Sequence, residues 1–584
     1  MTDNKYKLIS KKYKDFFWPT LAMTMANNMA LFVDSVLVST FIGVEKMPAV
    51  QLCFPIVAFV NMVYWMLGLG GSLLASNLTA DHNRDKANRI FTVSMISVVV
   101  FGIAVAILGT LFMPGISKLL CKDELYLEDV RAYGRVLVCG MPLLCFIMSL
   151  SYFSRADGSP KIGFWAVVIS NCVNLCMDTV LIKFCGLGVT GAALATVIGY
   201  ICGSLFMLRY LCSQKRQMRF VDPFRGGSFF RDLMSISAKG IPTASSQLYI
   251  MLKTQILNTL ITSNVGSVGL QIYSIYSNSL FLVYIIFIGT AQTLSPIVSV
   301  YAHEGDYDRA RYTLKRSIKT ALGGAVGIGL LFAVFPQIIQ FLYGIKDPEV
   351  IDACRTGIRL YVLSYPGLAF FYIMSYYFQA IKRARLAAIM TALEGLVFPV
   401  SFMAVFAPLF KMTGVWIAII ATDTVASAVI IVHLILSKRK HSKEGAVSFM
   451  LPAEPSPDRL EFTVKMDLPD SVRLSAEAET WVKERLDSSV SVKTCLALEE
   501  MLTGIASVNR SSPEEVVDVV LRQEDKCVVI SMRDMGETFN PTVVEEGREQ
   551  GFDNISVLNK IAASIKYDRS IGMNCTMIRI SNEQ

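Results

Sequence analysis

The sequence predicts an all-α membrane domain of twelve transmembrane helices in two six-helix repeats, followed by a small α/β-sandwich domain. Three observations predict it: an apolar excess, a series of segments of membrane-crossing length, and an internal match between the two halves of that series. Of 584 residues, 53% are hydrophobic and only 17% charged, with a mean hydropathy of +0.48. A soluble chain of this size carries less apolar residue than that. Mostly apolar runs of about 20 residues, the length that crosses a bilayer, fill Phe16 to Leu436, and none follows Pro452.

The expected spans are roughly 17–42, 48–78, 90–115, 132–155, 162–184, 189–211, 240–264, 268–300, 317–343, 357–381, 385–409 and 413–437. Several exceed the bilayer thickness, so tilting or bending is expected. "WPTLAMTMANNMALFVDSVLVSTFIG" from residue 18 aligns without gaps to "IPTASSQLYIMLKTQILNTLITSNVG" from residue 241, and "DKA" meets "DRA" at the same offset. Pro142 meets Pro366 and "GVTGAALAT" meets "GVWIAIIAT" at nearly that spacing. Agreement in order across both halves marks a duplicated unit, whose interface is the default place for a cavity. Because six is even, both copies enter from one side.

The division follows: a tail over 1–15, a six-helix lobe over 16–215, a linker over 216–239, a second lobe over 240–440, a linker over 441–458 and the small domain over 459–584. Lys and Arg gather in the N-terminal tail and the even loops, such as "DHNRDKANR", "GDYDRARYTLKRSIK" and "SKRKHSK", which predicts a multi-pass protein with both termini cytoplasmic. The net charge of +8 lies largely in those loops, so it reports orientation and not a nucleic-acid partner. Thirteen cysteines, an odd number scattered through apolar segments, and four distant histidines give neither a disulfide framework nor a zinc site.

The chemistry lies in "NCVNLCMDTVLI", where Asn171, Asn174 and Asp178 interrupt an apolar segment. At helical spacing these three share one face. Asp34 in the first span and Asp178 in the fifth lie at nearly equal depth, about 17 and 16 residues from their cytoplasmic ends. Burying an unpaired carboxylate is costly. Carboxylates with amide oxygens suit a hard cation, and a paired or desolvated carboxyl suits a proton. The plainer alternative is that the asparagines tie helices together and Asp178 stays neutral, but the matched depth favours an ion or proton site. Lys253 and Glu394 read as a possible intramembrane pair or as a substrate contact. Asp423, early in the last span, reads as near the cytoplasmic surface.

"VD" at 33–34, "GLGGS" at 68–72, "RADGSPK" at 155–161, "NLCMD" at 174–178 and "GLGVTGAALAT" at 186–196 together resemble the multidrug and toxic compound extrusion (MATE) family over residues 12 to 440. The resemblance implies a V-shaped secondary antiporter in the inner membrane of a prokaryote, exporting organic, often cationic, compounds in exchange for Na+ or H+ without a cofactor. It places the coupling site on Asp34, Asn174 and Asp178, with Thr196 nearby. One rival is a lipid-linked saccharide flippase, which would need a larger and more cationic groove. Another is a membrane receptor whose tail binds a sigma-factor-like partner.

In the small domain "ALEEMLTGIASV", "RDMGETFNP", "GFDNISVLNKIAASIKYDRS" and "GMNCTMIRI" resemble the GHKL ATPase domain of anti-sigma-factor serine kinases. On that resemblance Glu500 is the base, and Asp534 and Gly536 form the adenine motif. Gly504 stands at the Mg2+-ligand position, however, and the phosphate turn reads Gly551, Phe552, Asp553. A glycine offers no side-chain ligand and an aspartate repels phosphate. The expectation is therefore a degenerate domain with doubtful ATP binding and no catalysis, in which residues 455–584 serve regulation or bind a cytoplasmic protein.

Overall fold

In the computed structural model of the chain, the described residues are 6–80, 84–157, 160–212, 218–224, 229–303, 305–440, 447–452, 459–465, 468–509, 516–524, 526–542, 553–570 and 573–581. The phosphate-turn residues Gly551 and Phe552 lie outside them, as does most of the linker before the small domain.

The first half contains α1 (Lys7–Ile42), α2 (Met47–Tyr64), α3 (Gly70–Ala80), α4 (Arg84–Leu120), α5 (Glu124–Ala156), α6 (Pro160–Asp178) and α7 (Gly188–Cys212). A π turn at Trp65–Leu69 joins α2 to α3, and another at Thr179–Phe184 extends α6. The second half contains α8 (Phe229–Val265), α9 (Ser267–His303), α10 (Tyr307–Val334), the short α11 (Gln337–Tyr343), α12 (Pro348–Tyr361), α13 (Tyr365–Ala380), α14 (Ala384–Ala392) and α15 (Phe398–Lys440). A third π turn, Leu393–Val397, precedes α15.

Among the described residues nine stretches are long and apolar enough to cross a membrane. The number differs from twelve for local reasons. Ala384–Arg439 counts as one 56-residue stretch although the backbone breaks inside it at Lys411 (φ 49°, ψ −128°), and in α1 the described residues 31–42 are too short a window to count by themselves. In α8, Lys253, Gln255 and Asn258 interrupt the apolar sequence.

The two halves meet along α1 against α9 and α2 against α8. At the end shared with the chain termini, here the tail side, a Cβ on Gly70 would lie 2.7 Å from the Gly240 Cα, and a Cβ on Gly240 would enter the Met66 carbonyl. The two backbones touch because neither residue carries a side chain. At the far side, the Ser35 and Tyr343 hydroxyls lie 3.2 Å apart, Ser267 donates to Asp123 at 2.6 Å, and the Gln255 amide donates to the Leu119 carbonyl at 2.9 Å. The halves are thus in contact at both ends.

A short hairpin, β1 (Val447–Ser448) and β2 (Leu451–Pro452), follows α15, and Tyr377 on α13 donates to its Phe449 carbonyl at 2.8 Å. The small domain has strands β3 (Arg459–Lys465), β4 (Val516–Glu524), β5 (Cys527–Asp534), β6 (Ser564–Ser570) and β7 (Met573–Ser581). They form one antiparallel sheet in the order β3-β4-β5-β7-β6. Helices α16 (Leu468–Lys483), α17 (Ser488–Val508) and α18 (Asp553–Ile561) complete it. Val517, Val519, Leu521, Val528, Ile530, Met532, Ile578 and Ile580 pack with Leu474, Leu498, Met501 and Leu558 of the helices. Strand period two puts these strand residues on one face. The other face turns toward the membrane helices, so all eight residues of β5 are buried.

Candidate functional site

Five helices of the first half enclose a cavity of about 190 Å3, lined by Asp34 and Ser35 of α1, Gln51 of α2, Tyr133 of α5, Asn171 and Asn174 of α6, and Thr196 and Tyr200 of α7. Asn278 and Phe281 of α9 close it from the other half. That volume holds several waters but is below the roughly 300–1,000 Å3 of a drug-sized pocket. An ion with its hydration fits a space of this size.

Four residues singled out in the sequence, Asp34, Asn171, Asn174 and Thr196, line this one space, and Asp178 adjoins it, fully buried. The Asn174 side chain donates to Asp178 at 3.2 Å and to the Thr196 hydroxyl at 3.4 Å. Thr196 also donates to the Ala192 carbonyl at 3.1 Å, which fixes its rotamer. Asp34 and Asp178 are near neighbours whose charges act on each other, and the Asp178 Oδ1 has no hydrogen-bond partner among the described residues. Two carboxyl groups that close can share a single proton or flank a single cation.

Local structure explains the convergence. Asn171, Asn174 and Asp178 sit at spacings of three and four on α6, so they form one stripe. Gly199 on α7 is packed against the Ser170 carbonyl and the Asn174 backbone, so α6 and α7 approach closely and Thr196 reaches Asn174. Immediately after Asp178 the helix widens into its π turn, a feature frequent at functional sites. Tyr133, Tyr200, Gln51 and Asn278 were not singled out in the sequence. Tyr200, one turn beyond Thr196 on the same face, was the one with a readable signal.

The second half departs from expectation. Among the described residues no ion pair joins Lys253 to Glu394. Lys253 and Glu394 are near enough for each other's charge to be felt, and the Glu394 charge also reaches Asp423, Tyr284 and Tyr372. Asp423 is not at the surface but buried, beside Ser364. The last helix starts at the far side near Lys411, so Asp423 falls in its interior.

In the small domain the adenine-motif residues are already occupied. Asp534 accepts from the Gly536 amide at 2.9 Å and from the Asn574 side chain at 2.8 Å, and it is 2% exposed. Asn574 also donates to the Glu537 carbonyl, and its own oxygen accepts from Tyr567. Phe539 lies where a side chain at position 504 would go, with its ring 2.5 Å from a Cβ built on Gly504. Burial, and next the neighbouring Glu499, raise the Glu500 carboxyl above its usual range.

Fold and site together define a polytopic helical membrane protein of two like halves with a carboxyl-lined cavity in the first. The MatE family model matches residues 19–180 and 242–404, once in each half. The chain belongs to the MatE family. It is similar to the probable multidrug resistance protein YoeA of Bacillus subtilis, 22% identical over 69% of this chain and 88% of that protein. The multidrug export protein MepA of Staphylococcus saprophyticus is 26% identical over 68% and 88%. Among solved structures, an inward-facing MATE multidrug resistance transporter of the MOP superfamily superposes with a TM-score of 0.64 at 21% identity, over 72% of this chain and 95% of that one. An outward-facing form gives 0.57 at 21% identity, over 74% and 96%.

Proposed function

We propose that the chain is a secondary active multidrug efflux antiporter that exports organic, often cationic, compounds in exchange for Na+ or H+. The observation that carries this is the convergence of Asp34, Asn171, Asn174 and Thr196 on one cavity, with Asp178 bonded to Asn174 at its edge. The names of the relatives, multidrug resistance and export proteins, support the same cargo class. The helices make twelve crossings of a prokaryotic inner membrane, and the tail side is cytoplasmic.

In this proposal an ion or proton entering from outside binds between Asp34 and Asp178, with Asn174 and Thr196 holding the pair in register. Occupancy changes how α1 packs on α6 and so how the halves meet, and cargo leaves outward. Coupling requires that ion and cargo each bind the two forms differently. The small domain is a GHKL-like fold without its nucleotide chemistry and acts as a regulatory module. A cytoplasmic protein bound by residues 455–584 would meet its helical face, because the opposite sheet face is covered.

The test uses proteoliposomes loaded with a fluorescent organic cation, under an imposed Na+ gradient and, separately, a pH gradient. Wild type moves the dye under one gradient, which identifies the ion, and Asp34→Asn and Asp178→Asn abolish the movement. Intact ion-driven efflux in both variants would refute the site.

A further inference from the structure

A small domain with helices on one sheet face leaves the other face to water unless something covers it. Here Arg459 and Glu461 on β3, Asp518 on β4 and Arg533 on β5 come from that other face, and all are nearly or fully buried. Thr463 pairs with Asp518 and Asp518 with Arg533 across the strands, so the polar groups form a row. The row meets Asp306 and Arg309, from the start of α10. Asp306 lies 2.9 Å from Arg309, 2.9 Å from Arg459 and 2.8 Å from Arg533. Arg309 reaches Asp518 at 3.0 Å and Glu461 at 3.6 Å, while Arg533 lies over the Tyr301 ring of α9 at 4.6 Å. Three guanidinium groups and three carboxylates thus balance in a sealed space, and Arg309, Asp306, Asp518 and Arg533 are each at most 1% exposed.

The same sheet covers the start of α1. Leu8 and Ile9 there are fully buried and Lys12 is 5% exposed, near Arg569 of β6 and Cys575 of β7. From the opposite direction α10 holds that segment: Tyr6 stacks on Tyr312 at 4.3 Å and donates to Asp308 at 2.8 Å, and Arg316 donates to Ser10. The seam between α1 of one half and α9 and α10 of the other therefore lies under the sheet.

We infer that the C-terminal sheet is a clamp across this seam, holding the halves together on the tail side, and that inward opening requires its polar face to let go. The inference rests on the transporter proposed above for its consequence, though not for the clamp itself. The composition of the interface suits a separable contact. Buried ion networks fix geometry while adding little net stability, because the same groups are well solvated once exposed. Gly305, at φ +75° with Arg522 where a side chain would stand, lets the loop before α10 pass close beneath the strands.

Hydrogen–deuterium exchange on the full-length protein in lipid nanodiscs tests the clamp, comparing wild type with Arg459→Glu, and with the milder Glu461→Gln should the first fail to fold. Residues 527–534 should exchange several-fold faster, and with them residues 6–13 and 307–316 by about threefold or more, as their shared opening becomes easier. Faster exchange in 527–534 alone would overturn the clamp, leaving a tail that merely rests on the helices. Unchanged exchange in all three segments would overturn it too, since the network would not be what holds the sheet. In proteoliposomes the same variants should export dye several-fold faster, and an unchanged or lower rate would overturn the requirement for release. A wild type that moves no dye would instead sink the transporter proposal, with the exchange result still deciding the clamp.

Discussion

Asn174 donates to Asp178 at 3.2 Å across one turn of α6, at the residue where that helix passes into a π turn. The bond sets the direction of the Asp178 carboxyl, and the wider turn beyond it frees the chain from the regular i→i−4 pattern. Asn174 is bonded on both sides, to Asp178 and to Thr196, so it couples α6 to α7 at the depth where α1 brings Asp34.

Replacing Asn174 by Ala removes both bonds and leaves Asp178 without its neighbour on α6. Gradient-driven dye transport should fall by about 10-fold or more, the effect of losing one or two charge-directed hydrogen bonds of about 1.4 kcal/mol in sum. Thr196→Ala should cost less, because the Thr196 hydroxyl spends its own proton on the Ala192 carbonyl. Initial rates in proteoliposomes at matched protein content check both.

Gly240→Val places two methyl groups where the Met66 carbonyl and the Gly70 backbone stand. Overpacking of this kind costs about 1–3 kcal/mol, and here the strain falls on contact between the halves. The variant should unfold at a lower temperature, and a cysteine probe in the tail-side half of α1 or α9 should label faster. A melting curve together with maleimide labelling rates measures this.

Acid should loosen the sheet only under strong conditions. Burial pushes the Asp306 carboxyl up, but Arg309, Arg533 and Arg459 together outweigh it and hold the group well below the usual carboxylate range. A depressed carboxyl stabilises the folded state above its unfolded pKa of about 4, and that contribution is lost as pH falls toward the folded value. Asp518 behaves oppositely, since burial outweighs the opposing effects of Arg309, Thr463 and Arg533 and holds it above the usual range. The domain should stay docked from pH 8 to about 5 and weaken below about 4. Arg533→Gln removes one of the three guanidinium groups, so the loss should be complete at a higher pH. Protease protection of residues 527–534, read after pulses at stepped pH, reports it.

The small domain should not take up ATP. A fluorescent ATP analogue with Mg2+ should show no saturable binding to the full protein, because Asn574 holds Asp534 and Phe539 fills the space beside Gly504. Gly504→Asn should fail to create binding and should lower the stability of the domain by about 1–3 kcal/mol through overpacking. Saturable binding in wild type would contradict this.

How much of this was legible in the sequence depended on whether the signal was local. The stripe of Asn171, Asn174 and Asp178 could be read because helical spacing puts those residues on one face, and equal depth brought in Asp34. The lining by Asn278 could not, since it comes from the other half and depends on how α9 closes on α2. Asp423 was misplaced because its depth depends on where the last helix begins, near the backbone break at Lys411, and composition does not mark that break. In the small domain the mixture of strands and helices was legible, yet an alternating strand looks the same whether its polar side meets water or another domain. The burial of Arg533 and Asp518 against α10 therefore had no signature in either segment alone.

That burial ties two distant parts of the chain into one heritable unit. Asp306 and Arg309 are neutral as a pair, and so are the four charged residues that the sheet contributes, but each set is shaped to fill the vacancies of the other. A membrane domain grafted onto a different tail would keep its fold yet leave Asp306 and Arg309 with only each other as partners. Residues 305–309 and the strands around 459, 518 and 533 should accordingly change together or not at all, and exchange between related chains should succeed only when both travel as a set.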